Sequence, residues 1–481
     1  MARCDTMTSM NNAQATQIVI LGGTGDLSKR KLLPALLDLY ARKMLPGVFH
    51  VIGFARSKWN NEEYAEFIKE IIHEHNPNHT HTDEQIQDFC KNISYVSGSF
   101  DDFSSYSRLQ TAIDDFDTKN EVRSNRLFYL AVPPKFYENI FSDLKKSKIA
   151  TEEAPAWTHI LVEKPFGKDL ETAQKLDLQL AKMYHEEQIF RIDHYLAKEA
   201  VQNILSFRFA NTLLKAPWNK ESIESVHIKM TETIDVGSRA GFYEGVGALR
   251  DVGQNHLLQL LALIAMKEPE NFTVEAMRDA RAEVLKSLIP MSIENLNDSV
   301  IRAQYEDYRA NNAIADDSET ETYFELKAEL SMPEWAGVPF YIKSGKALDK
   351  SEVSITVKLK DVGTGLFETD TCHSIGNKIT LTISPEQTIS VTLNAKAPGL
   401  GYQLEPRTLS FTCNKGDNEI KNSYEKVLYD SIIGDQTLFT KTDEVHASWK
   451  FITPILQHWQ NTPLHSYQKG TPGPKATILP T

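Results

Sequence analysis

Four short stretches of this 481-residue chain carry side chains that could do chemistry. In "VEKPFGKD", Glu163, Lys164 and Pro165 end an apolar run, so an ammonium stands at the tip of whatever element that run forms. In "RIDHYLAKEAVQNIL", His194 and Lys198 are four apart with Tyr195 beside the histidine. If the segment opens a helix, the pair shares a face near the helix's positive end, and it reads either as a phosphomonoester site or as an ordinary surface pair. In "GALRDVGQNHLLQLL", His256 runs with Leu249, Val252, Leu260 and Leu263 at helical spacing, the usual surroundings of a satisfied core histidine. In "GGTGDLSKRK", the run Gly22, Gly23, Thr24, Gly25, Asp26, Leu27 could hold a pyrophosphate at a helix N-terminus, although Ser28 stands where the common dinucleotide fingerprint has its third glycine.

The elements around these stretches follow a pattern. "QIVIL" reads as a short buried strand, and "KLLPALLDLYARK" after the glycine turn reads as a helix that tolerates Pro34 only near its start. "VFHVIGFAR", "ISYVSGSF", "NRLFYLAVPP" and "AWTHILVEKP" are further strands, and "EEYAEFIKEIIHEH" is a helix between two of them. Such alternation predicts a parallel sheet with helices on both faces and a ligand at the carboxyl ends of the strands. The second strand ends in Arg56, Ser57 and Lys58, with no acid nearby, where an NAD-binding chain usually places a carboxylate for the ribose. A 2′-phosphate suits these residues better, so the cofactor expected is NADP; a solvated basic turn is the alternative.

After about Asp193 the runs lengthen and alternate: "SVHIKMTETI", "TYFELKAEL", "VPFYIKSG", "SEVSITVKL" and "NKITLTISPEQTISVTLNA". They predict a large, mainly antiparallel sheet with one face covered by helices such as "GALRDVGQNHLLQLLALIAM" and "SYEKVLYDSI". The expected fold is α/β plus α+β: a disordered segment over 1–15, a Rossmann-like dinucleotide-binding domain over 16–192, and a larger β+α domain for substrate binding and dimerisation over 193–481. A sheet with so long an apolar face often supplies a subunit contact, which predicts a homodimer, with a tetramer as the alternative.

Composition narrows the classes. Lys and Arg number 52 against 65 Asp and Glu, and the resulting net charge of −13 argues against a general nucleic-acid or membrane-surface binder. Cys4, Cys90, Cys372 and Cys413 are scattered without a paired motif, so neither a metal site nor a disulfide framework is expected. The polar N-terminus lacks a signal peptide's apolar centre, and "LLQLLALIAM" is too short to span a bilayer, so the expected location is the cytoplasm.

The order and spacing of "GGTGDLSKRK", "EKPFG", "RIDHYLAKE" and "RDVGQNHLLQ" resemble the glucose-6-phosphate 1-dehydrogenase family, whose members open the pentose phosphate pathway with NADP. The likeness runs from Gln17 onward and includes "AGVPFYIKSGKAL" and "SYEKVLYDSIIGD". It implies that His256 is the general base and Asp193 the carboxylate that orients it. It also implies that His194, Tyr195 and Lys198 hold the sugar phosphate, and that Glu232, Asp251, Lys346 and Lys350 contact the sugar. Lys31 and Lys164 would lie near both cofactor and substrate, and Tyr137 would touch the cofactor. By the same resemblance, Ala197 replaces the usual glycine of the phosphate motif, and Ser384 replaces a sugar-binding glutamine found in some members.

Two other readings compete. An NAD-dependent oxidoreductase of an unphosphorylated polyol would share the Glu-Lys-Pro strand end but would not need Arg56 or the His194/Lys198 pair. A non-catalytic NADP-sensing regulator would not need the Asp193/His256 pair.

Overall fold

The computed structural model describes residues 14–75, 81–361, 376–413 and 422–480. Most of the segment expected to be disordered, up to position 13, lies outside the described residues, as do Cys4 and Cys372. The chain forms two compact units. One comprises Met1–Gly167, Gln174–Ala197 and Ile420–Lys441, and the other Lys168–Ala173, Lys198–Glu419 and Thr442–Thr481.

The first unit is built on a seven-stranded sheet. Six strands, β1 (Thr16–Leu21), β2 (Phe49–Ala55), β3 (Ile93–Ser97), β4 (Asn125–Leu130), β5 (Thr158–Val162) and β6 (Ile189–Ile192), run parallel in the order 3-2-1-4-5-6. Every residue of β1, β4 and β5 is buried, which is why each strand reads, after its first two residues, as an apolar run rather than as an alternating one. The strand order reverses between β1 and β4, where a doubly wound sheet opens its ligand crevice. The very short β6, in "QIFRIDHY", was not expected; its Arg191 is buried and paired with Asp177 at 2.8 Å and Glu186 at 2.9 Å.

Two expectations for helices are corrected. The segment Ser423–Ile433 does not cover the antiparallel sheet. It places Tyr424, Val427, Leu428 and Ile432 in one core with Ile18, Leu33, Leu36 and Phe190 of the first unit. A two-residue strand nearby, β15 (Phe439–Thr440), pairs antiparallel with β6. An amphipathic period reports that a helix has a buried face but not which sheet that face meets. The helical path after the glycine turn begins at Asp26, ahead of Pro34, and runs through a widened turn over Ser28–Leu32 before Leu33–Ala41. Loosening of this kind accommodates a proline that can donate no amide hydrogen.

The second unit carries a nine-stranded sheet. In chain order its strands are β7 (Ile223–Thr231), β8 (Val300–Tyr305), β9 (Tyr323–Ala328), β10 (Phe340–Gly345), β11 (Glu352–Leu359), β12 (Lys378–Ser384), β13 (Thr388–Lys396), β14 (Leu404–Thr412) and, after the short strand already described, β16 (Leu464–Tyr467). They are arranged 14-13-12-11-7-10-9-8-16. Pairing is antiparallel except at β7/β10 and β8/β16. Strands such as β12 alternate buried and partly exposed positions, as expected for a sheet with one covered face. Leu258–Ala265 is buried along its whole length. Arg281 of Val274–Lys286 and Glu444 of Thr442–Gln457 form a buried pair at 2.9 Å, and Gln259 donates to the same carboxylate at 3.0 Å. The strands β8, β14 and β16 lie in stretches whose alternation the sequence reading did not single out.

Candidate active site

In the first unit the glycine turn leaves β1 directly. Gly22 has φ of +96°, and a Cβ there would stand 2.3 Å from the Ala131 carbonyl oxygen, so no other residue fits. Gly22 N donates to Phe54 O at 2.8 Å, and Gly25 N donates to Gly22 O at 2.8 Å. Ser28 is fully buried and donates its hydroxyl to Gly22 O at 2.8 Å. The serine in place of the third glycine therefore ties the helix start to the turn. Asp26 pairs with Arg30 one turn later, and Lys31 is exposed on the widened turn. Close backbone approach at Gly22 and Gly23, followed by a helix N-terminus, fits a dinucleotide pyrophosphate.

Arg56 follows the last residue of β2 and is exposed. The adjoining backbone is fixed by Tyr95, whose hydroxyl donates to Ala55 O at 2.9 Å and Ser57 O at 2.8 Å. An acid does stand near this tip, contrary to the reading of the local stretch. Asp101, in the loop after β3, is held below the usual carboxylate range by the Ser99 hydroxyl, its own amide and the Arg56 guanidinium. It was missed because β3 adjoins β2 only in the sheet.

Lys164 projects just beyond β5, and the Lys164-Pro165 peptide is cis. The strand tip is held by phenols: Tyr129 donates to Glu163 Oε1 at 2.6 Å, Tyr137 donates to Glu163 O at 2.9 Å, and the Tyr424 hydroxyl bonds the same carboxylate. Burial pushes the Glu163 carboxyl up, opposed by Tyr129, the Lys164 ammonium and Tyr424. Tyr137 is itself buried, with its hydroxyl on this backbone, so the contact it makes in this unit is with the Lys164 loop. Neither Tyr129 nor Tyr424 was identified from sequence: Tyr129 sits in an apolar stretch that reads as core, and Tyr424 lies far along the chain at the start of a helix assigned to the other sheet.

The segment after β6 is a turn and not a helix, which corrects the premise of a shared helical face for His194 and Lys198. Asp193 is buried; its Oδ1 accepts from Tyr195 N at 2.9 Å and its carbonyl from Leu196 N at 3.1 Å. The His194 ring stacks on Tyr424 at 5.9 Å and 16°, with Tyr195 tilted beside it at 5.0 Å. Ala197 is buried in the core, so its extra methyl is accommodated.

In the second unit Lys198 is the N-cap of helix Glu199–Phe209, whose start has no side-chain cap, and amides at such a start favour an anion. Lys346, just past β10, brings together two of the predicted carboxylates: its Nζ lies 2.5 Å from Glu232 and 3.6 Å from Asp251. Its ammonium also faces the Tyr243 ring at 5.3 Å. Lys350 does not share that ion-pair cluster; it is exposed and pairs with Glu352 at 2.7 Å. Ser384 ends β12, opposite Val353.

His256 is buried on a π-helical segment, Leu249–Leu257, that continues into Leu258–Ala265. The expected α-helical stripe is thereby shifted: Gly253, Gln254, His256 and Leu257 turn inward, while Val252 is only partly buried. Each widened turn takes an extra residue, which an apolar period of 3.6 does not reveal. Gly253 lets the segment press on the sheet, since a Cβ there would meet Phe324 at 2.9 Å.

Residues 19–203 match the family model described as glucose-6-phosphate dehydrogenase, NAD binding domain, and residues 205–479 match the C-terminal domain of the same family. The chain is 36% identical over 479 residues to glucose-6-phosphate 1-dehydrogenase of Chlamydia pneumoniae, covering 95% of this chain and 93% of that one. It is 37% identical over 468 residues to the Arabidopsis thaliana protein named glucose-6-phosphate 1-dehydrogenase 6, cytoplasmic, covering 95% and 89%. A solved glucose-6-phosphate dehydrogenase in complex with its substrate glucose 6-phosphate superimposes with a TM-score of 0.88 at 35% identity, over 96% of this chain and 95% of that one.

Proposed function

The chain belongs to the glucose-6-phosphate dehydrogenase family, and from that premise we propose how its residues oxidise glucose 6-phosphate at C1 to 6-phosphoglucono-1,5-lactone with NADP. The observation that carries the assignment of the sugar site is the Glu232–Lys346–Asp251 cluster, with buried His256 on the same π-helical segment as Asp251. Carboxylates accept hydrogen bonds from sugar hydroxyls, and an ammonium between them both donates to the sugar and keeps the pair from repelling.

NADP, when bound, supplies the nicotinamide that accepts the hydride leaving C1. The chain's residues do the rest. The imidazole of His256 takes the proton of the C1 hydroxyl, and the carboxylate of Asp193 orients the ring and stabilises its cation. Lys198, the amides of its helix start, His194 and Tyr195 hold the 6-phosphate. Lys164 donates to a substrate hydroxyl, with Glu163 and its phenols fixing the strand tip. The glycine turn takes the pyrophosphate, and Arg56 and Ser57 take the 2′-phosphate. Lys31 serves both ligands, and Lys350 contributes at the rim of the sugar site.

The protein acts as a homodimer in the cytoplasm. Support for the dimer comes from the β13/β14 ribbon, where Val391 lies opposite Leu409 and Ile389 opposite Phe411, and where Leu393, Leu409 and Phe411 are exposed. Support for the location comes from the Arabidopsis thaliana relative whose name calls it cytoplasmic and from the free thiols of Cys90 and Cys413. The test of the activity is the rise in reduced-nicotinamide absorbance with glucose 6-phosphate, with glucose and with no sugar, each with NADP and with NAD. Turnover of glucose 6-phosphate with NADP is expected; equal turnover of free glucose, or none at all, would overturn the reading.

A further inference from the structure

We infer that Glu321 is a positioning residue for the reaction: a buried carboxylate, supplied from far along the chain, that caps the π-helical segment carrying Asp251 and His256 and locks it to the loop carrying Lys346. The inference rests on the roles proposed above for those three residues.

The segment Leu249–Leu257 begins without a side-chain cap from its own N-cap residue, Ala248. Its first amides need acceptors, as at every helix start. Glu321 supplies two: its carbonyl accepts from Ala248 N at 3.1 Å, and its Oε1 accepts from Leu249 N at 3.0 Å. The second carboxylate oxygen accepts from the Trp459 indole N–H at 3.1 Å. The side chain is 2% exposed, so these partners are not interchangeable with water. Gly247 is shaped around this contact, because its φ is +74° and a Cβ there would lie 2.3 Å from Glu321 Oε1. A carboxylate at this end of a helix also meets its positive pole. Burial raises the Glu321 carboxyl's pKa, and the Leu249 amide, its own amide, the indole and Arg250 counter that rise.

The next residue completes the link. Thr322 O accepts from Lys346 N at 2.9 Å, and the Thr322 hydroxyl bonds Tyr467 Oη at 2.8 Å, whose own hydroxyl donates to Lys346 O at 2.7 Å. Glu321 and Thr322 thus hold, on one short piece of backbone, the start of the helix that bears Asp251 and His256 and the backbone amide of Lys346, and Thr322 reaches the Lys346 carbonyl through the Tyr467 hydroxyl. Any shift in how Glu321 caps the helix moves Asp251 and His256 relative to Lys346.

The test uses the chemistry of the cap. A glutamine has one acceptor oxygen where the carboxylate has two, so Glu321→Gln leaves either the Leu249 amide or the Trp459 indole facing an NH2 group. The variant should lose on the order of tenfold to a hundredfold in kcat/KM for glucose 6-phosphate, as expected for a displaced reacting group, with the KM for NADP unchanged. Trp459→Phe removes one donor, should cost less, and also leaves the KM for NADP unchanged. In the double variant the single oxygen of glutamine is free for Leu249, and part of the loss should return. A Glu321→Gln protein with wild-type kcat/KM overturns the inference, as does an equal loss for both ligands that Trp459→Phe fails to rescue. If Glu321→Gln does not fold, wild-type kinetics in Trp459→Phe alone overturn it. His256→Asn, measured alongside, separates the two levels. An active His256→Asn beside an impaired Glu321→Gln removes the base assignment and leaves the cap standing through Asp251. An inactive His256→Asn beside a wild-type Glu321→Gln removes the cap and leaves the base.

Discussion

His256 is buried in a helical segment and asparagine is a smaller polar side chain, so the replacement should preserve the fold and sugar binding while removing the proton acceptor. The expected fall in kcat is roughly 10²–10⁴-fold, the usual contribution of a general base; steady-state kinetics at saturating substrate, with a melting curve as control, check it. Arg56 makes the complementary case for the cofactor. A guanidinium on a 2′-phosphate makes charge-assisted bonds worth about 1.5–3 kcal/mol each, so Arg56→Ala should raise the KM for NADP about tenfold or more and leave NAD unaffected or slightly improved. A parallel fall in kcat/KM for both cofactors would show that Arg56 supports the turn and not the phosphate. Asp101 gives this site its own background negative charge, which also falls on any 2′-phosphate bound there.

At the scale of elements, β11 starts with a carboxylate that carries its own pH signature. Glu352 is partly buried, which works against its charge. Hydrogen bonds from Lys350 and Ser354 and the Lys229 ammonium nonetheless lower it from 4.5 to about 2. A carboxylate depressed in the folded state stabilises it fully above its unfolded value, and that stability drains away as pH falls through the folded value. Glu352→Gln should therefore melt lower than the parent at neutral pH, by an amount worth at most about 1 kcal/mol for such solvent-facing pairs. The gap should narrow below pH 4.5 and close toward pH 2. Melting temperatures of the two proteins across that range check the sign; a gap that widens on acidification would show that the pairs do not act in this way.

For the whole molecule, the first unit is assembled from distant pieces of chain. Tyr424, Val427, Leu428, Ile432 and Phe439 complete a core whose other members come from residues before 198. A chain truncated after Ala197 should expose that apolar surface, bind a hydrophobic dye and fail to bind NADP tightly. The same chain fused to residues 420–441 should recover a cooperative melt. A cooperative melt in the unfused fragment would show that the return segment is dispensable. The β13/β14 ribbon makes a second prediction at this scale. Replacing Leu409 and Phe411 by aspartate should abolish the proposed dimer on sedimentation, since charges on the apolar face through which it is proposed to pair would repel their own copies.

Much of this molecule was legible in its sequence because the deciding physics is local. Buried parallel strands need apolar runs such as "IVIL" and "LFYL", and a φ of +96° needs Gly22. Alternation of strand and helix, followed by longer alternating runs, was enough to indicate both sheets. Other features depend on where separate pieces of chain meet. Nothing within hydrogen-bonding range in sequence couples Lys346 to Glu232, 114 positions away, or marks Glu321 as the acceptor for Leu249. The widened helix at His256, the turn that replaces a helix at His194 and the placement of Ser423–Ile433 in the first unit's core likewise followed from packing. Periodicity records that a residue is buried; only the tertiary structure decides which partner buries it, and hence which polar atoms it must satisfy.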